Sequence, residues 1–185
     1  MRIKIILPVT LLIFLVPAWS SFAGNFILSS PQLSPGHPIQ ADQMLNGFGC
    51  QGRNISPELH WSGEPGQTKS FAVTVYDPDA PTGSGWWHWL VINIPATIHT
   101  LPSGSGNPGG ILPPPGIQTR TDFGKLGYGG PCPPAGDPPH HYTFTIWALD
   151  TEKLPSNPDS SGAMVGFFLH QHQLAKAEIT IVHGR

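Results

Sequence analysis

Charge is what this chain lacks first. Lys, Arg, Asp and Glu together make only 11% of its 185 residues, well under the quarter usual in a soluble domain. Apolar residues do not fill the gap as they would in a membrane protein, because hydrophobics stop at 39%. The nine Lys and Arg are scattered and the formal net charge is −2, so no basic stripe is available to neutralise a phosphate backbone. That argues against nucleic-acid binding. Cysteine is scarcer still, with two residues and no Cys-x-x-Cys, which leaves a zinc ribbon or a redox dithiol without a basis. No Gly-x-Ser-x-Gly occurs, so the nucleophile elbow of a serine hydrolase is missing. What fills the chain is 22 Gly and 22 Pro with no strict repeat. That composition excludes collagen, a coiled coil and an all-helical bundle, and it fits short strands joined by long turns. The length is that of a single domain.

The N-terminus reads as a removable leader. Arg2 and Lys4 precede an apolar run over residues 5–16, and Ser21-Phe22-Ala23 places small residues at the −3 and −1 positions of a cleavage site. The run is shorter than the roughly 20 residues needed to span a bilayer. A secretory signal peptide over residues 1–23 and a domain over 24–185 are therefore expected, with no membrane span after cleavage. The stretch before the cleavage site contains no Cys for lipoprotein anchoring. Cleavage leaves seven basic against eleven acidic residues, a net charge of −4. The expected location is the periplasm or the medium, where Cys50 and Cys132 meet oxidising conditions and pair, the alternative being two separate buried thiols. Such a bridge closes a loop of about 82 residues, worth on the order of 4 kcal/mol in the chain-entropy model.

Hydrophobic period sets the elements. Residues 71–76 alternate and are β-branched, so they predict a strand that ends at Asp77-Pro78-Asp79-Ala80-Pro81, where two prolines stop the ladder. Residues 86–94 are almost continuously apolar and predict a strand buried on both faces. Residues 142–149 and 179–182 predict two more strands. One helix is expected over 161–176, with Met164, Phe167, Phe168, Leu174 and Ala175 on its apolar face and Ser160 or Ser161 as its cap. The fold class is mostly β and antiparallel with one C-terminal helix. Residues 98–136 hold ten Gly and eight Pro, a long irregular stretch of the kind that is usually functional when ordered.

Three places carry candidate chemistry: the Asp77 turn, Trp86-Trp87-His88-Trp89, and Pro138-Pro139-His140-His141-Tyr142. Strand alternation puts His140 and Tyr142 on one face with His141 opposite, and Trp86, His88 and Leu90 on one face. Singly, each has a plain structural reading: Asp77 as a turn residue, His88 as a core histidine, His140 and His141 as a solvated strand end. Brought together, they support anion binding. Two imidazoles can donate N–H or carry charge, a carboxylate can orient them and raise their pKa, and a Gly-rich loop can add backbone N–H groups. Two other patterns are set aside. Gly104-Ser105-Gly106-Asn107-Pro108-Gly109 matches Gly-x-Gly-x-x-Gly but opens no helix. His170 and His172 lie about 200° apart around a helix axis and cannot chelate one ion.

These motifs resemble those of the phosphatidylethanolamine-binding protein family. The Asp77-Pro78-Asp79-Ala80-Pro81 turn, the W-x-H-x-L-V-x-N string from Trp86 to Asn93 and the run from Tyr128 to Tyr142 all match. Asn54-Ile55-Ser56-Pro57-Glu58-Leu59-His60-Trp61 is similar to a signature of the family's bacterial, Raf kinase inhibitor-like branch. The likeness runs from about Phe26 to Val182. It implies a β-sandwich with long Gly/Pro-rich loops and a small anion pocket formed by Asp77, His88 and His140, with Pro81, Trp86, Gly130, Pro134 and Tyr142 shaping its walls. It implies binding of phosphate, phosphoethanolamine (a phospholipid headgroup) or carboxylate, without catalysis or a cofactor, in a protein that inhibits or regulates a partner. Two features depart from the eukaryotic pattern: His141 replaces an Arg, and residues 111–115 and the cysteine pair are additions. An exported protein does not meet a cytosolic kinase of its own cell, so kinase inhibition does not carry over. Two alternatives are a metal-dependent hydrolase or oxygenase using Asp77, His88 and His140 as a two-His, one-carboxylate site, and a protease inhibitor acting through an exposed loop.

Overall fold

The structure is a computed structural model that describes residues 25–185. The expected signal peptide, residues 1–23, lies outside the described residues. In chain order the elements are β1 (Ile27–Ser29), β2 (Asn46–Gly47), β3 (Cys50–Gln51), β4 (Leu59–Ser62), β5 (Ser70–Asp77), β6 (Trp86–Pro95), β7 (Thr100–Leu101), β8 (Ile117–Gln118), β9 (His140–Leu149), α1 (Gly162–His172) and β10 (Gln173–His183). A five-stranded sheet has the order β10-β9-β5-β6-β8, a three-stranded sheet has the order β1-β4-β7, and β2 pairs with β3. Every pairing is antiparallel.

The central sheet is covered on both sides, which is why β6 reads as a near-continuous apolar run. One face carries Phe71, Val73 and Val75 of β5, Trp89 and Val91 of β6, and Tyr142, Phe144 and Ile146 of β9; Leu59 and Trp61 of β4 and Leu101 of β7 pack onto them. The other face carries Ala72, Leu90, Ile92, Trp147 and Leu149, closed by Leu154 and by Val165 and Leu169 of α1. The expected mostly β, antiparallel sandwich with its single helix is the observed fold.

Three local expectations are corrected. Trp86, His88 and Leu90 do not share a face. The pairing of β5 with β6 slips between Val75 and Tyr76, which face Trp89 and Trp87, so His88 is the extra residue of a β-bulge. Trp86 and His88 then face one side of the sheet, while Trp87, Leu90 and Ile92 pack under the helix. A second slip, between Phe71 and Val73, brings in Asn93 at φ +60, whose Oδ1 accepts the Leu154 N–H at 2.9 Å.

The helix is also shorter than expected and turned. It starts where predicted, with Ser161 capping Met164, but stops at His172. Gln173 is already extended, and β10 pairs with β9 from Gln173↔Leu149 to His183↔His140. Leu174, Ala175 and Lys176 favour a helix locally, but this long ladder outweighs that preference. Leu174 and Ala175 therefore belong to a strand. The buried face of α1 is Gly162, Val165, Gly166 and Leu169, while Met164 and Phe167 are exposed. Gly162 is needed because a Cβ there would overlap the Trp87 ring, and Gly166 continues the same close approach.

Candidate functional site

The antiparallel order β9-β5-β6 places the end of β5 beside the beginnings of both neighbours. Asp77 pairs with Trp86, and Tyr76 pairs with Thr143. Asp77, Trp86, His88, His140 and Tyr142 therefore gather at one end of the sheet, where they line a cavity of about 350 Å³. Pro81, Gly130 and Pro134 line it as well, so all eight residues singled out as pocket residues meet at one place. The rim includes the exposed Phe48 and Arg185, so the cavity reaches solvent.

Asp77 and His140 form a buried pair. His140 Nδ1 lies 2.8 Å from Asp77 Oδ2, with both side chains only 4% exposed. Asp77 Oδ1 accepts the Asp79 N–H at 2.8 Å, an Asx turn that the following proline suits. Both carboxylate oxygens are thus occupied, and the Nδ1–H of the imidazole is fixed on Asp77. Its other nitrogen lies 3.6 Å from Asp137 Oδ2. His141 points to the opposite side, as alternation predicts, and is exposed. Its backbone N–H and ring both bond Asp79 Oδ2, and the backbone bond is the larger cause holding the Asp79 carboxyl below its ordinary range.

His88 departs from expectation. Asp77 does not orient it; its Nδ1–H donates to the Gly129 carbonyl at 2.7 Å, and the Gly129 N–H donates back to the His88 carbonyl at 2.9 Å. Its pKa is not raised but pushed down to about 4, because burial outweighs the opposing pull of the Gly129 carbonyl and the Asp77 charge. At neutral pH His88 is uncharged, with Nε2 left as an acceptor. Its ring meets Tyr142 and Phe123 edge-to-face at 5.2 and 5.3 Å. Burial also raises the Tyr142 phenol well above its ordinary pKa, so it stays protonated. Trp86 contributes a buried indole Nε1–H with no hydrogen-bond partner among the described residues.

The Gly/Pro-rich loop forms the remaining wall. Cys50 and Cys132 are disulfide-bonded, with Cα atoms 6.0 Å apart, and Cys132 itself lines the cavity. Asn54, at φ +54, staples the loop by accepting the Gly130 N–H and donating to the Tyr128 carbonyl. Gly130 packs so closely against the backbone of Gln43 that a Cβ would overlap it.

Sequence reasoning missed Leu45, Phe48, Phe123, Pro133 and Arg185, which also line the cavity. The predicted disulfide pointed indirectly to Phe48 and Pro133, which flank its cysteines. Phe123 and Arg185 carry no local signal. As for a metal centre, Asp77 spends both oxygens on protein donors, and no group of three His, Cys, Asp or Glu side chains is arranged to hold an ion among the described residues.

The phosphatidylethanolamine-binding protein family model matches residues 29–183, and the chain belongs to that family. It is 53% identical over 178 residues to UPF0098 protein YbcL of Escherichia coli, covering 94% of this chain and 97% of that one. It is 52% identical over 153 residues to E. coli UPF0098 protein YbhB, covering 83% and 96%. The crystal structure of E. coli YbcL, described as a member of the mammalian PEBP family, superposes with a TM-score of 0.84 at 55% identity, covering 86% of this chain and 98% of that one. The PEBP homologue CT736 of Chlamydia trachomatis superposes at 0.71 with 30% identity, covering 86% and 97%. Membership supports a binding role, and none of these names denotes a catalytic activity. Among the described residues no helix is long and apolar enough to cross a membrane.

Proposed function

We propose that this chain is an exported, non-catalytic module whose cavity takes a small oxyanionic group: phosphate, the phosphate of a phosphoethanolamine headgroup, or a carboxylate. The observation that carries the reading is the convergence of the buried Asp77–His140 pair, His88 and the unpartnered Trp86 indole on one solvent-connected cavity. His140, held by Asp77, offers its second nitrogen to a ligand oxygen. Trp86 adds a neutral donor beside the uncharged His88. The largely apolar walls lower the local dielectric and strengthen each of these bonds. A volume of about 350 Å³ suits a headgroup rather than a whole lipid.

The absence of catalysis rests on the reactive groups at hand. The cavity hydroxyls are those of Thr82, which is bonded to the Gly85 carbonyl, and Tyr142, whose phenol is held protonated by burial; its Cys132 is in a disulfide. None is an activated nucleophile. Export is supported by the leader pattern of residues 1–23 and by the disulfide. A partner protein presenting a phosphate or carboxylate suits the same cavity, and a regulatory or inhibitory role would act through it. The test is an NMR titration with phosphoethanolamine and with inorganic phosphate. The reading expects saturable shifts centred on the Gly130 and Cys132 amides and the His140 ring; shifts spread evenly over the surface would refute it.

A further inference from the structure

The cavity's charge balance is unusual for an anion site. Asp77 already accepts the Nδ1–H of His140, and His88 is uncharged at neutral pH because burial depresses it. Asp137 adds a carboxylate 3.6 Å from the second nitrogen of His140. Of the Lys and Arg side chains among the described residues, one lines the cavity: Arg185.

Its position is built. His183 pairs with His140, so β10 ends where β9 begins, and Arg185 follows two residues later at the mouth. Nε donates to the Pro133 carbonyl at 2.6 Å and Nη2 donates to the Phe48 carbonyl at 3.1 Å. Those carbonyls flank Cys132 and Cys50, so the guanidinium bridges the two segments that the disulfide joins. The third nitrogen, Nη1, has no hydrogen-bond partner among the described residues. It lies over Gly49, where a Cβ would come within 3.0 Å of it, and Gly49 sits at φ +86, a conformation that suits glycine. A guanidinium fixed by two neutral acceptors keeps its full charge and has donors to spare.

We propose that Arg185 is the specificity-determining cation of this cavity, receiving the second negative charge of a dianionic phosphomonoester and so favouring it over a monocarboxylate. The inference rests on the oxyanion-binding reading above. A monoanion is satisfied by His140 and Trp86 at the base, whereas a dianion needs a fixed positive charge at the mouth.

The test is an NMR titration of the wild type, Arg185→Gln and Arg185→Lys with inorganic phosphate, at a pH where it is a dianion, and with acetate. Arg185→Gln is expected to weaken phosphate about tenfold, the scale of one charge-assisted hydrogen bond, while acetate changes less than about threefold. Arg185→Lys keeps the charge but not the fork, and retains most of the preference. Equal weakening of both ligands would show a rim clamp rather than a charge reader and would overturn the proposal, as would unchanged phosphate binding or identical losses in the Gln and Lys variants. If wild-type protein binds neither ligand, the oxyanion reading itself fails; if it binds both and Arg185→Gln behaves as wild type, only the present inference fails.

Discussion

His140 donates its Nδ1–H to Asp77 Oδ2 at 2.8 Å, and neither side chain is more than 4% exposed. The two residues come 63 positions apart in the chain, from the end of β5 and the start of β9, and an antiparallel register makes them neighbours. Replacing Asp77 by Ala strands the His140 ring and the Asp79 N–H together. The expected cost is about 2–4 kcal/mol, because a buried group left without its partner bears its full desolvation penalty. Urea unfolding measures it, and a wild-type midpoint in Asp77→Ala would contradict the account.

His88 makes stability depend on pH with a definite sign. Its folded pKa is about 4, below the ordinary 6.5, so in mild acid the unfolded chain takes up a proton that the folded chain refuses. Its contribution is fully present above about pH 6.5 and is lost as the pH falls towards about 4, a change of roughly 3 kcal/mol. His88→Gln should flatten this part of the profile. Unfolding midpoints of both proteins across the window check it, and parallel profiles would count against a buried neutral ring.

The two rim segments are held by the Cys50–Cys132 bridge. Replacing both cysteines by Ser should cost about 4 kcal/mol, the chain-entropy value for a loop of this length. Thermal melts of the variant, and of wild type with and without reductant, read the effect. A variant as stable as the oxidised wild type would contradict it.

Gly130→Ala and Gly66→Ala should differ sharply. A Cβ at Gly130 overlaps the Gln43 backbone, whereas one at Gly66 meets nothing within 4 Å. The first is expected to cost about 1–3 kcal/mol through overpacking and to displace the wall beside His88, the second close to nothing. Equal melting temperatures would show that the loop is not packed as described.

Much of this was legible in the sequence for physical reasons. Alternation located β5 and β9, and the unbroken apolar run from Trp86 marked a strand covered on both faces. The proline-locked Asp77 turn and the His140-x-Tyr142 spacing are local signals that singled out these residues, while their meeting in one cavity was implied by the resemblance to the phosphatidylethanolamine-binding protein family. The bulge at His88 was not legible, because it arises from how β6 registers against β5 and nothing in Trp86-Trp87-His88-Trp89 announces it. The end of α1 was misread because Leu174 to Lys176 suit a helix locally; the apolar spacing of Ala175, Ala177, Ile179 and Ile181 was the strand signal that β9 completes. The protonation of His88 was misjudged for a related reason, since burial is set by Phe123 and Tyr142 arriving from elsewhere in the chain. Arg185 was invisible because only the pairing of β10 with β9 carries it to the mouth.

The most direct test of the central claim is calorimetric titration of inorganic phosphate into wild type, His140→Ala and His141→Ala. The account predicts saturable one-to-one binding to wild type, a loss of about tenfold or more in His140→Ala and little change in His141→Ala, because only the first ring lines the cavity. No binding to wild type, or equal losses in the two variants, would contradict it.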